Sequence, residues 1–275
     1  LYRTELRAQL SLSTCCLSAR TRSSSAPVCG GGTPSRRRRH YLGPTGGAEV
    51  RKISLSLAWN PDALDSLLEW AQDADATGVD SIWINEGFGH DAVSGLALLA
   101  RETNRVALGT SIVNVFSRTP GTLAQQFATI DQLSGGRVLI GLGASAPGVI
   151  ERFHGLPFDA PLARLREAAE LLRLYWRRER FDYDGPAHSI RRALPMGAEP
   201  VQPSPPIYLA TLHPRSVRLT AEIADGWLPA WIPNERLRGE IGEVRGWITE
   251  AGRDASAFAV RAPGAIVVAE NEDEV

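Results

Sequence analysis

The sequence predicts an α/β protein, a (β/α)8 barrel that stops before its eighth strand, and three observations lead there. From Ile53 onward a short apolar run, a turn and an amphipathic helix recur seven times. Glycine and polar residues collect at the C-terminal ends of the apolar runs, where parallel α/β folds place their ligands. With 275 residues, 43% of them hydrophobic, the chain has the material for a sizeable core. An open seven-stranded parallel sheet fits the same pattern.

The first strand is 53-ISLSLAW-59. Asn60-Pro61-Asp62 then opens a helix, with Asn as cap and Pro in the first turn, where no amide partner is lost. Leu64, Leu67, Leu68, Ala71 and Ala74 form its buried stripe, and Gly78 ends it. The second strand, 80-DSIWINE-86, leads to a helix over 91–102 with Asp91 as cap. The third, 106-VALGTSIVN-114, leads to a helix over 120–133, and Ser134-Gly135-Gly136 turns into the fourth strand, 137-RVLIGLGAS-145. A long helix over 161–179 carries Leu165, Ala168, Leu172 and Tyr175 at core spacing, and 181–203 is an excursion outside the repeat. The fifth strand is 206-PIYLAT-211 with a helix over 214–224, the sixth is 226-GWLPAW-231 with a helix over 234–252, and 258-FAVRAPGAIVVAE-270 is the seventh. The barrel domain is thus 51–275, C-terminally incomplete.

Residues 1–50 show neither helical nor strand period and include the run 36-RRRR-39. They read as a disordered extension, or as upstream sequence translated from a misplaced start, since the chain begins with Leu. Up to Lys52 the chain holds 10 of the 30 basic residues, so the body from Ile53 carries 29 acids against 20 bases. That balance argues against a nucleic-acid partner. No apolar run reaches the ~20 residues of a membrane crossing. All three cysteines, Cys15, Cys16 and Cys29, lie in the extension, which fits a reducing cytoplasm and leaves the body without a thiolate nucleophile.

The chemistry is narrowed by what the strand ends hold. There is no Gly-x-Ser-x-Gly elbow, no Walker lysine and no zinc spacing, and Lys52 is the only lysine. Serine-triad hydrolysis, P-loop chemistry and Schiff-base catalysis therefore lose ground to a bound cofactor that does the chemistry. Glu86, after five mostly apolar residues, is either a proton carrier or a solvated loop acid. Gly141-x-Gly143-x-x-Ala146 matches a dinucleotide fingerprint, but it follows the fourth strand and meets Pro147-Gly148 instead of opening a helix directly. His213 opens a helix at the same face, whereas His90 and Asp91 have no further ligand pair at metal-like spacing, so no metal is expected.

The stretches 105-RVALGTSIVNVFSRTPGTLAQQFATIDQLSGGRVLIGLGAS-145, 161-PLARLREAAELL-172 and 206-PIYLATLHPRSVRLTAEIADGWLPAW-231 resemble the luciferase-like monooxygenase superfamily. They are most similar to its deazaflavin-dependent branch of the methylenetetrahydromethanopterin reductase kind. The resemblance implies a TIM barrel that binds coenzyme F420, or alternatively FMN, at its C-terminal face and transfers a hydride to or from a small-molecule substrate. It implies a non-prolyl cis peptide around Ser111-Ile112. By matching motif positions, Ser111, Ile112, Val113 and Asn114 would line the ring, and Gly143, Ala144, Ser145, Thr211, Leu212 and His213 would surround the ribityl-phosphate end. A homodimer is a further implication. Asn85-Glu86 replaces the Asp-His that many relatives have at the end of strand two, which leaves Glu86 as the catalytic candidate. Ser56 and Ala146 stand where relatives carry carboxylates. An FMN-dependent monooxygenase and a non-catalytic barrel or fragment are the competing expectations, with a nicotinamide-binding protein behind them.

Overall fold

The computed structural model describes residues 52–57, 64–230 and 232–264. Its elements in chain order are β1 (Ser54–Leu57), α1 (Leu64–Thr77), β2 (Ser81–Ile84), α2 (Ala92–Glu102), β3 (Ala107–Thr110), β4 (Val113–Asn114) and α3 (Pro120–Ser134). There follow β5 (Val138–Gly143), α4 (Pro147–Arg152), α5 (Pro161–Trp176), the hairpin β6 (Tyr183–Asp184) and β7 (Ser189–Ile190), and β8 (Ile207–Ala210). The last are α6 (Pro214–Ile223), β9 (Gly226–Trp227), α7 (Asn234–Glu250) and β10 (Ala259–Val260).

The main sheet runs β1-β2-β3-β5-β8-β9-β10, with β4 also pairing β5, and every pairing in it is parallel. It does not lie open. It curls until Arg261, just past β10, donates from Nη2 to Ser56 Oγ of β1 at 2.6 Å. Seven strand positions wound as a barrel are therefore present among the described residues, and the open-sheet alternative is set aside. The expected first-helix start at Asn60-Pro61-Asp62, the extension 1–50 and the end of the seventh strand from 265 onward lie outside the described residues.

Strand alternation divides the side chains cleanly. Ile82, Ile84, Leu108, Ile140, Leu142, Ile207 and Leu209 point out of the barrel and join Leu96, Leu99, Leu123, Phe127 and Leu172 from the helices in one buried cluster. Each such side chain contributes about 1.5–3 kcal/mol by leaving water. The inner face is a separate, smaller cluster of Trp83, Ala107, Leu139 and Leu228, with Ile112, Tyr208 and Ala210 packed against it.

Local signals explain the helix ends. Asp91 caps α2 by accepting from Ser94 N at 2.7 Å, and Thr119 caps α3 with Pro120 in its first turn. Gly135, at φ +70°, takes the left-handed position that closes α3. At the N-terminal end of the barrel, Asp75 accepts from the amides of Asn104, Arg105 and Val106. Arg137 donates to the carbonyls of Ala100, Thr103 and Val106 in the same region. The excursion 181–203 returns to the barrel through Gln202, whose amide and carboxamide both donate to the buried Asp131. Helix α4 and the hairpin are additions to the expected pattern, and the expected third strand proves to be two pieces.

Candidate functional site at the C-terminal end of the barrel

The break between β3 and β4 sets the geometry. The Ser111–Ile112 peptide bond is cis, at the position the sequence reading expects. On its N-terminal side the Thr110 hydroxyl replaces ladder bonds to β5, donating to the Gly141 carbonyl at 2.8 Å and accepting from the Gly141 amide at 2.9 Å. On its C-terminal side Val113 and Asn114 resume pairing, with Leu142 and Gly143. Ile112 is carried against the inner cluster and lies over Gly143: a Cβ there would sit 2.9 Å from both Ile112 Cδ1 and Cγ1. The same Cβ would be 3.6 Å from Ala210 Cβ, so Ile112, Gly143 and Ala210 pack together at the barrel mouth, with Ile112 filling the space in front of Gly143.

The remaining expected residues divide by what their side chains already do. Ser111 and Ile112 are half-buried, and the Ser111 amide donates to Ile84 O at 2.8 Å. Val113 is fully buried in the outer cluster. Asn114 uses Oδ1 to accept from Phe116 and Ser117 amides at 3.0 and 2.8 Å, and its Nδ2 is 3.4 Å from His154 Nε2. The Thr211 hydroxyl bonds Thr220 at 2.7 Å, while its carbonyl accepts from Trp227 Nε1 at 3.0 Å. Val113, Asn114 and Thr211 therefore offer a ligand main chain more than side chain. Ala144 is half-buried, and Ser145, Leu212 and His213 are exposed, Ser145 with φ +61° and His213 at the start of α6.

Glu86 is neither free nor solvated. Both its oxygens accept from the guanidinium of Arg118, at 2.6 and 2.8 Å, and Oε2 also accepts from the Ala92 amide at 3.1 Å. Its side chain is 8% exposed. Arg118 extends the same fork to Asp91, joining the β2 end, the α2 cap and the loop before α3. The bond to Glu86 foremost raises the Arg118 guanidinium above its ordinary value, although burial opposes this. Burial pushes Asp91 upward, but Ser94 and Arg118 outweigh it and hold that carboxyl below the usual range. The mouth thus carries a fixed cluster of two carboxylates on one guanidinium.

Two groups on the inner face were not singled out from sequence. Trp83 and Tyr208 meet edge to face, centroids 5.2 Å apart at 78°, and fill the middle of the barrel. They fit because Gly109 faces Trp83 and Gly226 faces Tyr208, so a Cβ at either glycine would strike the ring. Above the Trp83 ring, 4.9 Å from its centroid, lies the guanidinium of Arg261. Its signal in the sequence is a lone charge inside the apolar run 258–269. Among the described residues, no three His, Cys, Asp or Glu side chains form a metal-binding group, and no helix is long and apolar enough to cross a membrane.

This geometry agrees with the similarities of the chain. A Mycobacterium tuberculosis protein named as a coenzyme F420-dependent oxidoreductase is 34% identical over 238 residues, covering 80% of this chain and 67% of its own length. The 5,10-methylenetetrahydromethanopterin reductase of Archaeoglobus fulgidus is 30% identical over 202 residues, covering 73% of this chain and 60% of the reductase. The chain thus spans about two thirds or less of the length of these relatives. Among solved structures, the coenzyme F420-dependent tetrahydromethanopterin reductase of Methanopyrus kandleri superposes with a TM-score of 0.73 at 24% identity, covering 81% of this chain and 68% of that one. The monooxygenase RslO1 of Streptomyces bottropensis gives 0.71 at 25% identity, covering 81% and 74%. The sequence profile of the luciferase-like monooxygenases matches residues 39–275, and the chain belongs to that family.

Proposed function

We propose that the chain is an oxidoreductase that transfers a hydride between coenzyme F420 and a small organic substrate in the barrel mouth. The observation that carries this reading is the placement of Ile112 over Gly143 and Ala210 at the C-terminal ends of the strands, where a parallel barrel binds its ligand. The naming of relatives at 34% and 33% identity supports F420 as the group concerned. When bound, the deazaflavin supplies a two-electron hydride donor or acceptor.

The chain's own residues do the rest. Ser111, Ile112, Val113 and Asn114 would hold the ring, the last two through main chain. Gly143, Ala144 and Ser145, together with Thr211, Leu212 and His213, would hold the ribityl-phosphate end, largely through amides. Glu86 is the group assigned the proton role, and Arg118 holds it in a fixed orientation through two hydrogen bonds. A homodimer and a cytoplasmic setting accompany this assignment.

Fluorescence-quench titration with F420 and with FMN at equal salt tests it. Tight F420 binding with weak FMN binding is expected, and binding of neither would leave a non-catalytic barrel. FMN preference with oxygen consumption would move the chain to the monooxygenase alternative. Glu86→Gln is expected to keep F420 binding and to lower turnover by about a hundredfold, the usual yield of acid–base catalysis. Wild-type turnover in that variant would remove the proton role.

A further inference from the structure

Arg261 is the one charged side chain that the described strands turn toward the inside of the barrel. Cross-strand register places Ser54 and Ser56, Ser81 and Trp83, Ala107 and Gly109, Leu139, Gly141 and Gly143, Tyr208 and Ala210, and Gly226 and Ala259 on that same face. No carboxylate is among them. Among the described residues the guanidinium instead donates to the neutral Ser56 hydroxyl at 2.6 Å, and it lies 4.9 Å from the Trp83 ring centroid. Its Nε is buried with no hydrogen-bond partner, and burial pushes the group down to about 10.

A buried guanidinium is expensive unless an anion and further hydrogen bonds compensate for lost water. One hydroxyl and one aromatic face compensate only in part. The outer charges show the contrast: Arg118, Arg166 and Arg173 all end on carboxylates. An arginine fork lying on an aromatic floor is complementary to a flat oxyanion, which would bind along its Nη edge with its own plane against the ring.

We propose that Arg261, on Trp83 and beside Ser56, forms an anion subsite on the floor of the barrel, and that the substrate is a planar carboxylate or enolate. This rests on the barrel-mouth assignment for calling the ligand a substrate, but the benzoate and benzamide comparison uses no cofactor and so fails or succeeds separately.

The test is calorimetric titration of the full chain with benzoate and with benzamide, its neutral counterpart, for wild type, Arg261→Lys and Arg261→Met. Wild type is expected to bind benzoate at least tenfold more tightly than benzamide. Arg261→Met should lose that preference and leave benzamide binding unchanged, and Arg261→Lys, which keeps charge but not the planar fork, should fall between. Because Met removes an under-compensated cation, its melting temperature should equal or exceed that of wild type. Equal binding of benzoate and benzamide by wild type would overturn the subsite without any variant. A sharp drop in melting temperature for both variants would make Arg261 a structural group instead. Loss of F420 binding in Arg261→Met, with benzoate binding absent in wild type, would assign the charge to the cofactor ring and overturn the substrate class.

Discussion

The two faces of one sheet are built to different rules. The outer face is aliphatic, with Ile82, Ile84, Leu108, Ile140 and Leu142 wholly buried under helices. The inner face mixes Trp83 and Tyr208 with glycines at 109, 141, 143 and 226 and a single cation. Aliphatic branches interdigitate without direction and so supply stability. Rings, gaps and a charge supply shape and polarity, which a ligand can read. The fold is therefore carried by the face that carries little chemistry, and the candidate site by the face that contributes less burial.

Substitutions on the two faces should consequently separate stability from binding. The largest effect expected is at Phe127, which is fully buried in the outer cluster: Phe127→Ala should lower unfolding free energy by about 3–5 kcal/mol in urea denaturation. A loss under 1 kcal/mol would mean that the outer face is not the stabilising one.

A second effect is set by pH. Burial raises the Asp75 carboxyl, but the amides of Val106, Asn104 and Arg105, with Arg137, outweigh it and hold the group below its ordinary 3.8. A folded value below the unfolded one means that the ionised form stabilises the native state fully above 3.8 and that this contribution is lost as pH falls through the folded value. Asp75→Asn should destabilise the protein by about 1–3 kcal/mol at pH 7 and flatten the decline on acidification, as thermal melts at pH 6 and pH 3 would register. Parallel pH profiles for variant and wild type would assign acid sensitivity elsewhere.

The smallest stability effect belongs to the inner face. Gly143→Ala brings a methyl within 2.9 Å of both Cδ1 and Cγ1 of Ile112, which must shift to admit it. Stability should fall by about 1 kcal/mol while F420 affinity drops about tenfold. The opposite result, a large stability loss with unchanged affinity, would make Gly143 a folding glycine.

Much of this architecture was legible in the chain because local signals and tertiary need coincide. Thr119-Pro120 both stops a loop and starts α3, and Gly78 at φ +90° ends α1 where the apolar stripe stops. The resemblance also placed the cis bond. What stayed hidden depends on distance in sequence. Arg118 meets Glu86 across 32 residues, and nothing near either announces the pair. Val113 reads as a ring neighbour from its position, yet the interruption after Thr110 re-enters the ladder with Val113 facing the helices. Helix α4 is too short to show a period, and the hairpin's two-residue strands leave no alternation to detect.

The ring-and-glycine pairs have a consequence for alignment. Trp83 faces Gly109 across one strand boundary, and Tyr208 faces Gly226 across another. A slip of one residue at either boundary would turn the inner side chains toward the helices. A slip of two would set Trp83 against Ala107 or Ser111 and Tyr208 against Ala224 or Leu228, where a side chain already fills the gap. The four residues thus work as a key and keyway on each half of the barrel, so that the strands find their heights by fit before any ligand arrives.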